Sequence, residues 1–286
     1  MLRFSSHRSC CTDLTRPAFI ALLAAPFIAF ALLGCKKSST EPPLLTGSDS
    51  TALAGWTLVW HDEFDSSSID RTKWNFEVNG DGGGNNELQY YTDRPVNAWQ
   101  EQGWLVIQAL KESYLGKSYT SARMTTARKG DWLYGRVDVK AKLPRGRGLW
   151  PAIWMMPTDS YYGGWPKSGE IDIMELLGQE PAKVYSTVHW EENGVHRSSG
   201  TSYVLSTGRT FADDFHLFSF EWTADSLKFF VDRSLFHTER NGPPFDKRFF
   251  LILNVAVGGN WPGSPDASTV FPQVMIVDYV RVYAKS

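Results

Sequence analysis

The chain has 286 residues and a formal net charge of −2, a balance that leaves no basic footprint for nucleic acid. Its three cysteines are Cys10, Cys11 and Cys35. Nothing beyond residue 35 can be held by an intrachain disulfide, so the folded part must be stable through burial alone.

Arg3, Arg8 and Arg16 make a positively charged start, and an apolar run follows from Pro17 to Leu33. It closes on Leu32-Leu33-Gly34-Cys35, which resembles a bacterial lipoprotein signal. A plain transmembrane anchor is the other reading, but the run is near the lower length limit for a span and contains Pro26. The expectation is that residues 1–34 are removed and Cys35 carries lipid. The protein would then be exported and anchored to a bacterial membrane, at the outer membrane or cell surface. Residues 35–54 are rich in Ser, Thr and Pro and read as a flexible tether. Residues 55–286 are long enough for one domain with a large core.

In chain order, the domain reads as strand after strand. Asn85-Asn86-Glu87-Leu88-Gln89-Tyr90-Tyr91 follows the turn Gly82-Gly83-Gly84, which lacks the Lys-Ser/Thr ending of a phosphate loop. Tyr134 to Leu143 alternates apolar and polar residues, as does Phe215 to Trp222. Leu227–Val231, Phe249–Val257 and Val274–Tyr283 are further runs, parted by Gly, Pro, Asn and Asp. No segment keeps a capped helical period. The fold class is therefore all-β, two packed antiparallel sheets in a sandwich or jelly roll.

The chemistry is concentrated in Gly169-Glu170-Ile171-Asp172-Ile173-Met174-Glu175. Glu170 and Asp172 share one face of a strand, whereas Glu175 would face away unless a β-bulge at Ile173 or Met174 returned it. Like charges in such a row cannot all ionise freely, so at least one pKa must rise. Two carboxyls with separated pKa values are what glycoside hydrolysis needs. An exposed edge strand would alternate with Lys or Thr rather than Ile and Met, and no His lies near enough in sequence to favour a transition metal. Twelve tryptophans are the second signal, because indole faces suit both a core and the flat C–H faces of sugars.

Trp165-Pro166-Lys167-Ser168-Gly169-Glu170-Ile171-Asp172-Ile173-Met174-Glu175 resembles the signature of glycoside hydrolase family 16, in the bulged form of its laminarinase branch. The resemblance runs from about Trp56 to Tyr283. It implies a concanavalin-like jelly roll whose curved sheet carries a concave substrate cleft. It also implies a retaining endo-β-1,3-glucanase, with Glu170 as nucleophile, Glu175 as acid and base, and Asp172 tuning both. No cofactor is needed for the chemistry. Asn86, Arg123, Trp150, Trp165 and His189 are implied substrate contacts, and His189 would stand near Glu175. Trp154 reads equally well as core or cleft. His196, His216 and His237 read as structural. The segment Leu253 to Trp261 would shape one end of the cleft. Asp278 and Glu63 match positions that hold a structural Ca²⁺ on the convex face in many members. The expected partners are a β-glucan polysaccharide and, through Cys35, a membrane; the chain is expected to be a monomer. Mixed-linkage β-glucan, agar or carrageenan hydrolysis, transglycosylation, and surface glycan binding without turnover are the alternatives.

Overall fold

The computed structural model describes residues 53–286. The expected signal, Cys35 and nearly all of the expected tether lie outside the described residues. Among the described residues there are eighteen strands and no helix. In chain order they are β1 (Trp56–Asp62), β2 (Asn75–Phe76), β3 (Gln89–Tyr91), β4 (Ala98–Glu101), β5 (Trp104–Tyr114) and β6 (Lys117–Ser121). Next come β7 (Arg123–Thr125), β8 (Asp131–Trp132), β9 (Gly135–Lys142), β10 (Leu149–Pro157), β11 (Glu170–Leu176) and β12 (Lys183–Glu192). The last are β13 (Val195–Val204), β14 (His216–Trp222), β15 (Ser226–Val231), β16 (Ser234–Arg240), β17 (Phe249–Val257) and β18 (Gln273–Lys285).

They form two sheets. The cleft sheet runs β13-β12-β11-β10-β17-β7-β2, with β8 also on β17. The back sheet runs β16-β15-β14-β9-β18-β5-β6-β3, with β1 on β18 and β4 on β5. The pairing is antiparallel apart from β3 with β6. The five expected runs are β9, β14, β15, β17 and β18; β17 has the expected ends, and the others are shifted by a residue or two at one or both ends.

The alternation places one side of each strand in a single core. Ile171, Ile173, Met174 and Leu176 of β11 are buried with Val137 and Val139 of β9 and Phe218 and Phe220 of β14. Each such side chain contributes roughly 1.5–3 kcal/mol through burial. Truncating Ile171 to Ala would cost about 2–5 kcal/mol and loosen the strand that carries the acids.

Turn chemistry sets the registers that matter. Asn193 (φ 54°) and Gly194 (φ 77°) join β12 to β13 as the left-handed pair of a type I′ hairpin. Gly169 enters β11 at φ 84°, and a Cβ there would lie 2.9 Å from Phe245 and Pro244. Any side chain would push Glu170 away from its place.

The implied calcium position does not fit the chemistry observed. Both Glu63 oxygens accept from Arg281, from Nε at 2.9 Å and from Nη2 at 2.7 Å. Asp278 Oδ2 lies 3.3 Å from Lys140 Nζ. Calcium needs six to eight free oxygens, and these two acids already serve cations of the chain.

Candidate active site

The bulge falls where the sequence requires it. On one side β11 pairs Met174 with Ile153 and Asp172 with Trp154, so Ile173 is the extra residue. On the other side Asp172 faces Thr187 while Glu175 faces Tyr185, so Ser186 alone opposes two residues. Ile173 and Met174 both turn into the core, and Glu175 returns to the face of Glu170 and Asp172. Glu170 and Glu175 line a groove of about 830 Å³, and all three acids line a smaller hollow that shares Arg123, Trp150 and Trp154 with it.

Their surroundings differ. Glu170 is partly exposed and accepts from Trp165 Nε1 through Oε2. Glu175 is 9% exposed and accepts from Trp150 Nε1 through Oε1 at 2.9 Å. Asp172 is 2% exposed, and its Oδ2 has no hydrogen-bond partner, with His189 Nε2 3.2 Å away. Burial pushes the Glu175 carboxyl well above its ordinary range; the charges of Asp172 and Glu170 add to this, and the Trp150 bond opposes it. Burial likewise raises Asp172, followed by the charge of Glu170. Burial thus precedes the neighbouring carboxylates as the reason the Glu175 carboxyl is raised.

The expected substrate contacts divide. Trp150 and Trp165 stand in the groove, each holding a carboxylate. Arg123 also lines it, with Nε 3.1 Å from Glu77 Oε2 and its guanidinium 4.6 Å over the Trp154 ring. Trp154 is settled as a cleft residue, and its Nε1 donates to Asn254 Oδ1 at 2.7 Å. Asn86 differs from expectation. It adopts φ 56° and its Nδ2 donates to Asn260 Oδ1 at 2.9 Å, so it ties the loop to the far end of the cleft; Asn85 is the residue of that pair that lines the groove. His189 also differs. Its partner is Asp172 rather than Glu175, because the ladder sets His189 opposite Glu170, on the far side of the bulge from Glu175.

His196 departs from the structural role expected from sequence: it is exposed in the groove, with Nε2 3.0 Å from His189 Nδ1 and its ring 4.9 Å from Trp165. The Asn193-Gly194 turn was the available signal, since it folds β13 back on β12 and makes these two histidines diagonal neighbours. Trp261 was expected at the cleft end; it lies there, its ring 5.6 Å from Trp150 and 4.9 Å from Tyr185.

A cleft built on paired, unequal carboxyls beside indole rings agrees with the comparisons to known proteins. The chain is 44% identical to a beta-glucanase of Rhodothermus marinus, over 90% of this chain and 93% of that one. It is also 44% identical to a glucan endo-1,3-beta-glucosidase of Cryptopygus antarcticus, over 77% of this chain and 87% of that one. The solved laminarinase catalytic domain from Thermotoga maritima superposes with a TM-score of 0.75 at 47% identity, covering 81% of this chain and 99% of that one. Residues 85–281 match the sequence profile of Glycosyl hydrolases family 16. With a match over that length, the chain belongs to this family of glycoside hydrolases, and its sandwich is the jelly roll of that family.

Proposed function

We propose that the protein is a retaining endo-β-1,3-glucanase acting on laminarin-like polysaccharide. The observation that carries the chemistry is the difference between two carboxyls on one bulged strand: Glu170 partly open to the groove, Glu175 buried and pushed well above its ordinary range by that burial. The linkage rests on the likeness to proteins that act on β-1,3-glucan.

Trp165 engages Oε2 of Glu170, which leaves Oε1 to attack the anomeric carbon. Trp150 engages Oε1 of Glu175, so the proton sits on Oε2 and passes to the leaving oxygen. Attack turns Glu170 into a neutral ester. One of the charges that raises Glu175 then disappears, so Glu175 becomes the base that takes a proton from the incoming water. Asp172, buried between them, adjusts both through its charge and a shared proton.

Glu170→Ser tests the assignment. Hydrolysis of laminarin should fall by several powers of ten with the fold intact, and residual turnover above about 1% of native would sink the nucleophile role. A glycan-binding protein would bind laminarin and release no reducing ends. Product analysis on laminarin, lichenan, agarose and carrageenan decides the linkage and separates hydrolysis from transglycosylation.

On sequence grounds we also propose export with lipid attached to Cys35, the catalytic domain working as a tethered monomer. Cys35→Ser should release the protein from the membrane fraction; a variant still held there would refute the anchor.

A further inference from the structure

His196 belongs to a strand with little reason to be ordered for its own sake. β13 is the outermost strand of the cleft sheet, and most of its residues are exposed. It nevertheless delivers one imidazole to two members of the active site. The His196 and His189 ring planes lie within 21° of each other, their centroids are 5.2 Å apart, and Nε2 of one is 3.0 Å from Nδ1 of the other. That combination puts the rings edge to edge in a hydrogen bond. A bond between two neutral imidazoles holds one proton, so each ring fixes the tautomer of the other. Glu191, directly across the ladder from His196, is 3.7 Å from Lys167 Nζ and so has a cation of its own. On its other side His196 meets the ring of Trp165, whose Nε1 donates to Glu170.

We propose that His196 is a positioning residue that holds His189 in its Nδ1–H tautomer and orients Trp165 for the sugar ring. It thereby joins the hydrogen-bond surroundings of Glu170 to those of Asp172. With Nδ1–H donating to His196, His189 presents a lone pair from Nε2 to Asp172 Oδ2, the buried oxygen that has no other partner. The complementary state is the one in which the proton that Asp172 shares within the acid row sits on Oδ2; its charge acts on Glu175 when that proton is on Glu170 instead. His196 acts through His189 and Trp165 and takes no part in bond making. The kinetic part of the argument rests on Glu170 being the nucleophile.

Two substitutions separate the two contacts. His196→Phe keeps an aromatic ring against Trp165 but offers no acceptor to His189. His196→Gln offers an acceptor but no ring. His196→Phe should lower kcat about tenfold with KM within about twofold, and His196→Gln should keep kcat within about twofold and raise KM about fivefold. Nitrogen-15 NMR of the His189 ring supplies a readout that needs no turnover. Native protein and His196→Gln should show one tautomer, protonated at Nδ1, and His196→Phe a mixture. Identical His189 spectra in native and His196→Phe, or an Nε2–H tautomer in the native protein, would overturn the proposal. So would kinetics that do not distinguish Phe from Gln at this position. An active Glu170→Ser enzyme would defeat the nucleophile assignment instead, and the NMR result would still decide the role of His196.

Discussion

The two sheets treat buried acids in opposite ways. On the back sheet every acid considered above is given a cation. Glu63 is held by both arms of Arg281. Asp138 accepts from Arg136 Nε at 2.8 Å, and the same guanidinium reaches Glu221 at 2.6 Å and Ser219 at 2.9 Å. On the cleft sheet Asp172 and Glu175 receive no Lys or Arg; Glu175 has an indole N–H, and Asp172 has an imidazole beside it. Burial raises Asp138 even beside Arg136, and the pull of Arg281 and His61 brings the more open Glu63 below its ordinary value, whereas Glu175, with no Lys or Arg, is left well above it. The lesson is that the back sheet neutralises charge to keep the fold, while the cleft leaves charge uncompensated so that a proton can be delivered. Such a site costs stability, in the pattern typical of catalytic positions.

The largest expected effect breaks the cleft side. Glu175→Gln removes the proton donor and should lower kcat/KM on laminarin by several powers of ten, measured as reducing-end release. The same variant should be more stable than native at neutral pH. The sign follows from linkage. A carboxyl whose folded pKa is raised binds more protons folded than unfolded, so native stability is whole below about pH 4.3 and is lost as pH rises through the folded pKa. The Tm advantage of Glu175→Gln should therefore be absent at low pH and grow with pH. A constant advantage would assign the gain to packing.

Next comes the back sheet. Arg136→Ala strands Asp138 and Glu221 and should cost about 3–5 kcal/mol in denaturant unfolding, with KM unchanged. A loss under about 1 kcal/mol would mean that water reaches the pair.

Asp172→Asn sharpens the comparison within the cleft. It removes the second cause of the raised Glu175 pKa and leaves burial, the first, untouched. The basic limb of kcat/KM should move to lower pH, yet stay above the range of a free Glu near about 4.3. A limb that falls all the way to that range would make Asp172, and not burial, the main cause. The smallest effect belongs to Glu63→Gln, which should cost about 1 kcal/mol or less because the pair is partly exposed. Its sign is the reverse of Glu175→Gln: the native contribution is present above the unfolded pKa and lost as pH falls. Added calcium should leave the Tm of the native protein unchanged.

Much of this was legible before any coordinates. Three acids in a run of Ile and Met could share a face only through one extra residue, and alternation alone located β9 and β14, because side-chain direction along a strand is a local property with period two. The cleft positions of Trp150 and Trp165 came from the family resemblance, not from strand periodicity; Trp150 lies in β10 and Trp165 five residues before β11. What only the tertiary structure decided concerns contacts across strands. Whether Asn85 or Asn86 faces the groove turns on the left-handed φ of one residue and on Asn260, 174 positions away. That Glu63 and Asp278 serve Arg281 and Lys140 depends on the pairing of β1 and β9 with β18. That His189 meets Asp172, and that His196 joins it, depends on two ladders and a bulge. Composition sets which groups can interact, but the register between distant strands sets which of them meet, and a shift of one residue would reverse every face.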